Sequence, residues 1–249
     1  MTALLVDHVT WRIGAVPIVD EVTLEVHPGE FVALIGPNGA GKTSLFNLVS
    51  GLRRPTSGRV ALAGTDVTRA KPHQRARLGL GRTFQTSAVF ASLSVVENVA
   101  LAVRAREGGA TRPWRSRSSD RAVDATARRV LTEVGLEERA DRLAGSLAHG
   151  EKRKLEIALV LAGSPAVLLL DEPMAGVSAE DVPALVKVVK ALTADSGRSV
   201  LMVEHHMDVV LELADRVAVL HHGALLAVGT PAEVMADATV QEAYLGEEL

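Results

Sequence analysis

Three short, largely apolar runs lie along the chain at Phe31–Ile35, Ala166–Leu170 and Ser199–Val203. The first runs into a glycine-rich turn, the second into an acidic pair, and the third into the triplet Glu-His-His. Runs of this length bounded by turn signals are typical of strands buried on both faces of a parallel sheet. Helical patterns at Lys42–Val49 and Val182–Leu192 lie between them. The alternation predicts an α/β fold whose functional site lies in the loops at the strand ends.

The N-terminal part of the chain follows a different pattern. Apolar and polar residues alternate over Leu4–Ile13 and Val19–Val26, and Arg59–Ala63 is similar. This period of two predicts an antiparallel sheet with one wetter face. The middle of the chain, from about 95 to 163, has a helical pattern. It contains Arg104–Arg121, a segment rich in arginine, serine and glycine, which predicts an exposed loop.

Composition narrows the class of protein. The chain has 249 residues, of which 47% are hydrophobic and 23% charged, as in ordinary globular proteins. Its formal net charge of −3 argues against a wholly basic nucleic-acid binder, so we expect no nucleic-acid partner. The absence of cysteine excludes disulfides, thiol catalysis and cysteine-ligated metals. No apolar run approaches the roughly 20 residues that span a bilayer, and the N-terminus lacks a signal-peptide core. We therefore expect a cytosolic protein.

The turn after the first strand fits the phosphate-loop pattern G-x-x-x-x-G-K-[ST] at every fixed position. Glycines let the backbone turn its N–H groups toward phosphate oxygens, and the following helix adds its positive end. Lys42 supplies a positive charge for the β- and γ-phosphates, and Thr43 offers a hydroxyl to Mg²⁺. A glycine-rich turn that happens to carry a lysine is the structural alternative. The residues expected to bind the nucleotide here are Gly36, Pro37, Asn38, Gly39, Ala40, Gly41, Lys42, Thr43 and Ser44.

The acidic pair Asp171-Glu172 follows the second apolar run. A carboxylate at the end of a buried strand that lies beside the first strand is suited to holding Mg²⁺, usually through water, which is the role expected of Asp171. The adjacent Glu172 is suited to accept a proton from an attacking water as a general base. The alternative is an aspartate that caps a helix, followed by a solvated glutamate.

Taken in order, these motifs resemble those of the ATP-binding subunits of ABC transporters, over essentially the whole chain. The further motifs that carry the resemblance are Arg82–Gln85, the segment Leu147–Glu151, and Glu204-His205-His206. The resemblance implies a P-loop NTPase fold of ABC type spanning 1–249. It implies a mostly parallel core sheet with an N-terminal antiparallel β subdomain, in a core of about 1–86 and 164–249. A helical subdomain is implied at about 87–163.

The resemblance also implies roles for these residues. Gln85 corresponds to the glutamine that contacts Mg²⁺ and water, and His205 to the histidine that contacts the γ-phosphate. With Lys42 and Glu172 they form the expected catalytic set, while Thr43, Gln85 and Asp171 are the expected Mg²⁺ contacts. A signature segment caps the ATP held by a second subunit, and here it comprises Leu147, Ala148, His149, Gly150 and Glu151. Ordinary alternatives remain: a solvated glutamine, a hydrogen-bonded loop histidine, and a core helix over 151–163.

Several positions depart from the family pattern. Ala148 replaces a serine whose hydroxyl would bond the γ-phosphate, and Glu151 replaces a glutamine. Ile13 stands where relatives carry an aromatic that stacks on adenine; Trp11, on the same strand, is either a substitute or a packing residue. An apolar shelf formed by Ile13 and Val19 is a further prediction. Ser178 replaces an aspartate that couples the two ATP sites, which puts that coupling in doubt.

Within the family, the sequence resembles the uptake group for branched-chain (hydrophobic) amino acids. This rests on Arg82–Gln85, Leu155–Ala158, Glu204-His205 and the tail Ala243–Gly246. The resemblance implies ATP and Mg²⁺ as cofactors, transmembrane permease subunits, a second ATPase subunit (identical or different) and, indirectly, an extracytoplasmic solute-binding protein. It places the chain on the cytoplasmic face of the membrane. The alternatives are a lipopolysaccharide-export ATPase, a urea or amide importer, a soluble ABC ATPase and a non-catalytic regulatory subunit.

Overall fold

The structure is a computed structural model that describes residues 2–83, 89–107, 117–194 and 197–245. The chain divides into two compact units. The core unit comprises Met1–Arg82, Ala166–Pro173 and Lys190–Leu249, and the helical unit comprises Thr83–Pro165 and Met174–Val189. The subdomain boundaries expected at about 86 and 164 stay predictions.

The core unit contains a six-stranded sheet in the order β10-β9-β3-β8-β7-β6. All neighbouring pairs are parallel except β9 and β10, which form an antiparallel hairpin. The expected α/β fold with a mostly parallel core sheet is therefore confirmed. The expectation that the strand of the acidic pair lies beside the first strand is wrong, because β8 lies between β3 and β7. The strands are β3 (Phe31–Ile35), β6 (Leu80–Arg82), β7 (Val167–Asp171), β8 (Ser199–Val203), β9 (Arg216–His221) and β10 (Ala224–Gly229).

The described part of the core unit also contains a four-stranded sheet, in which neighbouring strands are antiparallel, in the order β2-β1-β4-β5. Its inward side chains pack with those of the first sheet in one continuous apolar cluster that includes Leu4, Val22, Phe46 and Leu169. The predicted antiparallel sheet is confirmed, although β2 begins three residues earlier than expected. The strands are β1 (Leu4–Ile13), β2 (Val16–Val26), β4 (Ser57–Leu62) and β5 (Thr65–Asp66).

Helix α1 (Lys42–Ser50) follows the phosphate loop and lies between two glycines with left-handed backbone, Gly41 and Gly51. Its C-terminal end is capped from outside by the buried guanidinium of Arg75, which lies on α2 (Pro72–Arg77). Nη1 of Arg75 donates to the carbonyl oxygens of Leu48 and Val49 at 2.7 and 2.6 Å. A cation placed there complements the negative end of the helix dipole. Burial lowers the pKa of Arg75 to about 10.

The helical unit is built on α3 (Val95–Arg106), α4 (Arg117–Glu133) and α5 (His149–Leu161), with two 3₁₀ turns at Glu137–Arg139 and Ala144–Ser146. The prediction of an exposed loop over 104–121 is wrong at its two ends, because α3 extends through Arg106 and α4 begins at Arg117. The stretch between them, including Trp114, lies outside the described residues.

The remaining helices follow the acidic pair and close the chain. They are α6 (Val182–Ala194), α7 (Met207–Leu213), α8 (Pro231–Ala236) and α9 (Ala238–Leu245). Within the described ranges, no helix combines the length and the apolar character that crossing a membrane requires.

Candidate functional site

The phosphate loop has a backbone that only glycine tolerates at its fixed positions. Gly36, Gly39 and Gly41 have φ of +146°, +81° and +101°. A Cβ on Gly36 would lie 2.0 Å from the carbonyl oxygen of Leu220, and one on Gly41 would lie 2.6 Å from that of Ile18. Gly36 and Gly41 are therefore required both by conformation and by the close approach of β9 and β2, whereas Gly39 is favoured by its conformation alone.

The β9–β10 turn supports the loop from behind. His222 and Gly223 both have positive φ, as in the two-residue turns that match strand twist. The N–H of Gly223 donates to the carbonyl oxygen of Ala40 at 3.0 Å, and its own carbonyl accepts from the N–H of Asp20 at 2.8 Å. These bonds fix the loop between two strands of the core unit before any ligand is present.

Lys42 places a positive charge inside the loop. Its side chain is buried, and Nζ donates to the carbonyl oxygens of Gly36 and Pro37 at 2.5 and 2.7 Å. The N-cap of α1 is Gly41, which offers no side chain to the first-turn N–H groups. A buried ammonium beside the positive end of a helix is the donor set that phosphate oxygens require. The loop therefore fits a nucleotide phosphate.

Asp171 ends β7 with its carboxylate buried and ion-paired. Nη2 of Arg82 donates to its Oδ2 at 2.9 Å. Thr43 lies exposed in the first turn of α1. A hydroxyl and a carboxylate are oxygen ligands of the kind Mg²⁺ prefers, and Mg²⁺ takes few protein ligands when phosphates complete its shell. The described residues contain no cluster of three His, Asp or Glu side chains that could hold a metal ion.

Arg82 has a structural role in the site that its membership of a sequence motif does not indicate. Its Nη1 donates to Asn47 Oδ1 at 2.9 Å and to Ser50 Oγ at 2.7 Å, and its guanidinium lies 5.6 Å from the ring centroid of Phe46. All three of these residues lie on α1. Arg82 is the last residue of β6 (Leu80–Arg82), a strand too short to show periodicity. The sequence pattern therefore does not predict where its side chain lies.

Glu172 and His205 meet at the ends of the neighbouring strands β7 and β8. His205 Nε2 lies 2.9 Å from Glu172 Oε1, and with the carboxylate ionised this nitrogen carries the hydrogen. The N–H of Glu172 donates to the carbonyl oxygen of Val203 at 2.9 Å, and its φ is +47°. A glutamate in the left-handed region is unusual, and such strain concentrates at functional sites.

Glu204, to which the motif analysis assigned no role, orders the loop after β8. Its carboxylate is buried, accepts the N–H of His205 at 2.7 Å, and lies 3.2 Å from Nδ1 of His206. Through these contacts it fixes the backbone from which the His205 side chain projects.

In the helical unit, the signature segment forms the start of α5. The predicted helix start at 151 is wrong, because α5 begins at His149 with Ala148 as N-cap. Glu151 Oε2 accepts the N–H of Ala148 at 3.2 Å, and Oε1 accepts from Arg139 Nε at 2.8 Å. The Arg139 bond is the main cause of a lowered pKa for Glu151. Its carboxylate is thus engaged within the chain.

Gly150 and Ser178 both contact Asp181, which precedes α6. A Cβ on Gly150 would lie 2.9 Å from Cβ of Asp181, so only glycine fits there without movement. Ser178 Oγ donates to Asp181 Oδ2 at 2.9 Å. Ser178, which replaces the aspartate of the family pattern, therefore donates a hydrogen bond to the residue that packs against Gly150.

At the β1–β2 hairpin, the predicted shelf of Ile13 and Val19 is wrong. Val19 is fully buried and pairs with Trp11, while Ile13 pairs with Val16, and both Ile13 and Val16 are 60% exposed. The pairing register shifts between Trp11 and the next residue, which breaks the strict alternation used in the prediction. Trp11 packs against the core, with the guanidinium of Arg53 at 5.8 Å from its ring centroid.

Gln85 lies outside the described residues, which omit 84–88.

Comparisons with known proteins agree with this geometry. A model of the ABC transporter family matches residues 19–175, and one described as branched-chain amino acid ATP-binding cassette transporter matches residues 224–249. The high-affinity branched-chain amino acid transport ATP-binding protein BraF of Pseudomonas aeruginosa is 37% identical, over 98% of each chain. The lipopolysaccharide export system ATP-binding protein LptB of Escherichia coli is 35% identical, over 93% of this chain and 92% of that one.

A solved structure extends the match to the fold. The chain is similar to MJ1267, an ATP-binding cassette of an ABC transporter whose ADP conformation has been solved by crystallography. The two match over 99% of this chain and 100% of MJ1267, with a TM-score of 0.85 and 29% sequence identity. The family match covers more than half of the chain. The chain therefore belongs to the ABC transporter family, as an ATPase of the ATP-binding cassette type.

Proposed function

We propose that this chain binds and hydrolyses ATP to power the import of branched-chain amino acids through an ABC transporter. The match of its C-terminal residues 224–249 to the branched-chain amino acid transporter family carries the choice of solute. That match favours this function over lipopolysaccharide export and over urea or amide import. The intact pairing of Glu172 with His205 favours an active ATPase over a non-catalytic subunit.

ATP binds with its phosphates in the loop from Gly36 to Ser44. Lys42 exchanges its bonds to loop carbonyls for bonds to the β- and γ-phosphate oxygens. Thr43, Asp171 and Gln85 would hold Mg²⁺, which would neutralise phosphate charge when bound. The lysine is already desolvated and pointed into the loop, which limits the rearrangement that binding requires.

In hydrolysis, Glu172 accepts a proton as a water oxygen attacks the γ-phosphorus and the bond to ADP breaks. In this structure the Nε2–H of His205 donates a hydrogen bond to Glu172. During the reaction cycle the same N–H donates its hydrogen bond either to the γ-phosphate or to the Glu172 carboxylate. Gln85 positions the water.

A second ATPase subunit completes each site through the signature segment Leu147–Glu151. Backbone N–H groups at the start of α5 approach the γ-phosphate. The bond between Arg139 and Glu151 offsets the negative charge that replaces a neutral glutamine there. Ala148 provides no hydroxyl, which weakens this contact by about 1.5–3 kcal/mol relative to a serine.

The adenine lies against the exposed pair Ile13 and Val16, with Trp11 beside them on β1. An aliphatic surface supplies contact area without ring stacking, so base discrimination is weak. Competition of ATP and GTP for the site tests this: similar affinities support the assignment, and a strong preference for ATP contradicts it.

The permease subunits bind the helical unit and hold the chain at the cytoplasmic face of the membrane. Phe90 and Leu143 are more than half exposed, and the segments that carry them run side by side through bonds between Ala91 and Gly145 and between Leu93 and Ala144. Exposed apolar side chains on adjacent segments are typical of protein contact surfaces. An extracytoplasmic solute-binding protein acts on the chain only through the permease.

The test is ATPase activity of the chain reconstituted in vesicles with its permease subunits and their solute-binding protein. Stimulation by leucine, isoleucine or valine, with uptake of the labelled amino acid, is the expected result. Stimulation by urea or an amide instead would overturn the solute assignment. Full activity without any permease would overturn the transport role.

A further inference from the structure

Two buried arginines of the core unit reach the same helix, α1, from different sides. Arg75 bonds the backbone carbonyls at its C-terminal end. Arg82 bonds two α1 side chains, Asn47 and Ser50, and also a carboxylate on another element, Asp171 at the end of β7. Only the second arginine links the phosphate-loop helix to the acidic pair.

The link is desolvated, which makes it geometrically demanding. The side chains of Arg82 and Asp171 are 8% and 2% exposed. A buried ion pair contributes little to stability by itself, but it requires well-aligned donors and acceptors. The three hydrogen bonds described above for the Nη1 and Nη2 atoms are short, between 2.7 and 2.9 Å.

The guanidinium spans its partners because of its shape. One edge, Nη2, faces Asp171, and the other nitrogen, Nη1, faces Asn47 and Ser50. A planar fork reaches two sets of acceptors at once, which a single ammonium does not. The ring of Phe46 on the same helix lies near the guanidinium and restricts its position.

Two of the three groups expected to hold Mg²⁺, those of Thr43 and Asp171, are tied to α1 in this arrangement. Thr43 lies in the first turn of α1, and Asp171 is tied to its last two turns through Arg82. We propose that Arg82 is a positioning residue for the Mg²⁺ site, which fixes the Asp171 carboxylate relative to the phosphate-loop helix. The proposal rests on the proposed role of Asp171 toward Mg²⁺.

Binding of ADP to the purified full chain, measured by calorimetry with Mg²⁺ and with EDTA, tests the proposal without turnover. In the parent chain Mg²⁺ should tighten binding, and the ratio of the two affinities is the magnesium gain. Arg82→Gln should reduce that gain by about 10-fold, as loss of a residue that orients a metal ligand typically does. The affinity of Arg82→Gln for ADP in EDTA should differ from that of the parent by less than about 2-fold, because the substitution removes no contact with phosphate.

Arg75→Gln is the matched control, because it also removes a buried guanidinium from α1 but does not touch Asp171. It should lower the melting temperature and leave the magnesium gain intact. Asp171→Asn should abolish the gain, and adding Arg82→Gln to it should have no further effect. Asn47→Ala with Ser50→Ala keeps the ion pair, removes its anchors on α1, and should reduce the gain even where Arg82→Gln fails to fold.

The outcomes separate the two proposals. An unchanged gain in Arg82→Gln or in the Asn47/Ser50 double variant, with Asp171→Asn impaired, overturns the role of Arg82 alone. Equal losses in Arg75→Gln and Arg82→Gln overturn it too, since general loosening of α1 would then suffice. A further loss when Arg82→Gln is added to Asp171→Asn shows action by another route and overturns it. An unchanged gain in Asp171→Asn removes the role of Asp171 and this inference with it.

Discussion

His205 and Glu172 are joined by a 2.9 Å hydrogen bond between Nε2 and Oε1, although 33 positions separate them along the chain. The bond exists because β7 and β8 are parallel neighbours whose carboxyl ends open at the same edge of the sheet. It makes the carboxylate and the imidazole one unit. Loss of either member should therefore impair hydrolysis while nucleotide binding persists.

We expect Glu172→Gln to lower kcat by about 100-fold or more, because a general base contributes that much, and to trap an ATP-loaded dimer. His205→Ala should also lower kcat. His206→Ala is the control, since the described side-chain contact of His206 is to Glu204 and not to Glu172, and this variant should retain turnover. Single-turnover hydrolysis and size-exclusion chromatography with ATP are the measurements. Parent-like hydrolysis by Glu172→Gln would exclude Glu172 as the base.

The backbone strain at Glu172 gives a stability prediction that is independent of catalysis. Its φ of +47° costs a residue with a Cβ about 1 kcal/mol that glycine does not incur. Glu172→Gly should therefore unfold at higher urea than Glu172→Ala, although both lack the carboxylate and both are inactive. At Glu25, an exposed strand residue outside the positive-φ set, the same pair should reverse its order. Equal midpoints for the two Glu172 variants would argue that the strain is absent.

The elements that sequence patterns predicted well are those with long, uniform signals. β3 and β8 have the expected bounds because an uninterrupted apolar run, preceded in β8 by Ser199, lies between turn signals in each of them. The meeting of Glu172 with His205 could also be expected, because both follow buried strands of one parallel sheet. The glycines of the phosphate loop are likewise fixed by the local backbone they must adopt.

The parts that escaped prediction depend on tertiary contacts. β6 has only three residues, too few for periodicity, so the position of Arg82 beside Asp171 had no local signal. Val19 pairs with Trp11, and the register shift after Trp11 places Val16 opposite Ile13, which the alternation along the two strands did not indicate. Helix α5 begins earlier than predicted because the Glu151 side chain accepts a hydrogen bond from the N–H of Ala148. The helix propensity of Ala148 does not indicate this contact.

Ala148 is a helix N-cap without a capping oxygen. A serine there should therefore have two effects, one on the stability of the chain and one on its ATPase activity. At two other helices of this chain, Ser94 and Thr230 accept the N–H of the residue three positions on, each at 3.3 Å. Ala148→Ser should accept the N–H of Glu151 in the same way and stabilise the chain by about 1 kcal/mol. It should also raise ATPase activity, by restoring a hydroxyl for the γ-phosphate.

Urea unfolding and ATPase assays separate these two effects. Ser94→Ala is the reverse control and should destabilise the chain by a similar amount. A gain in stability without a gain in ATPase would support the capping argument and contradict a signature contact through residue 148.

Arg139 and Glu151 should give the chain a defined pH dependence. The bond from Arg139 is the largest cause of the lowered pKa of Glu151, whose ordinary value is 4.5. A carboxyl whose pKa is lower in the folded state stabilises the fold above its unfolded value, and this contribution disappears as the pH falls through the folded value. The difference in melting temperature between the parent and Arg139→Gln should thus be full well above pH 4.5 and shrink in more acidic solution. In the background Glu151→Gln, Arg139→Gln should produce a difference that does not vary over this range. A parent-to-variant difference that persists unchanged into acid would show that Arg139 stabilises the helical unit by packing and not by its bond to the Glu151 carboxylate.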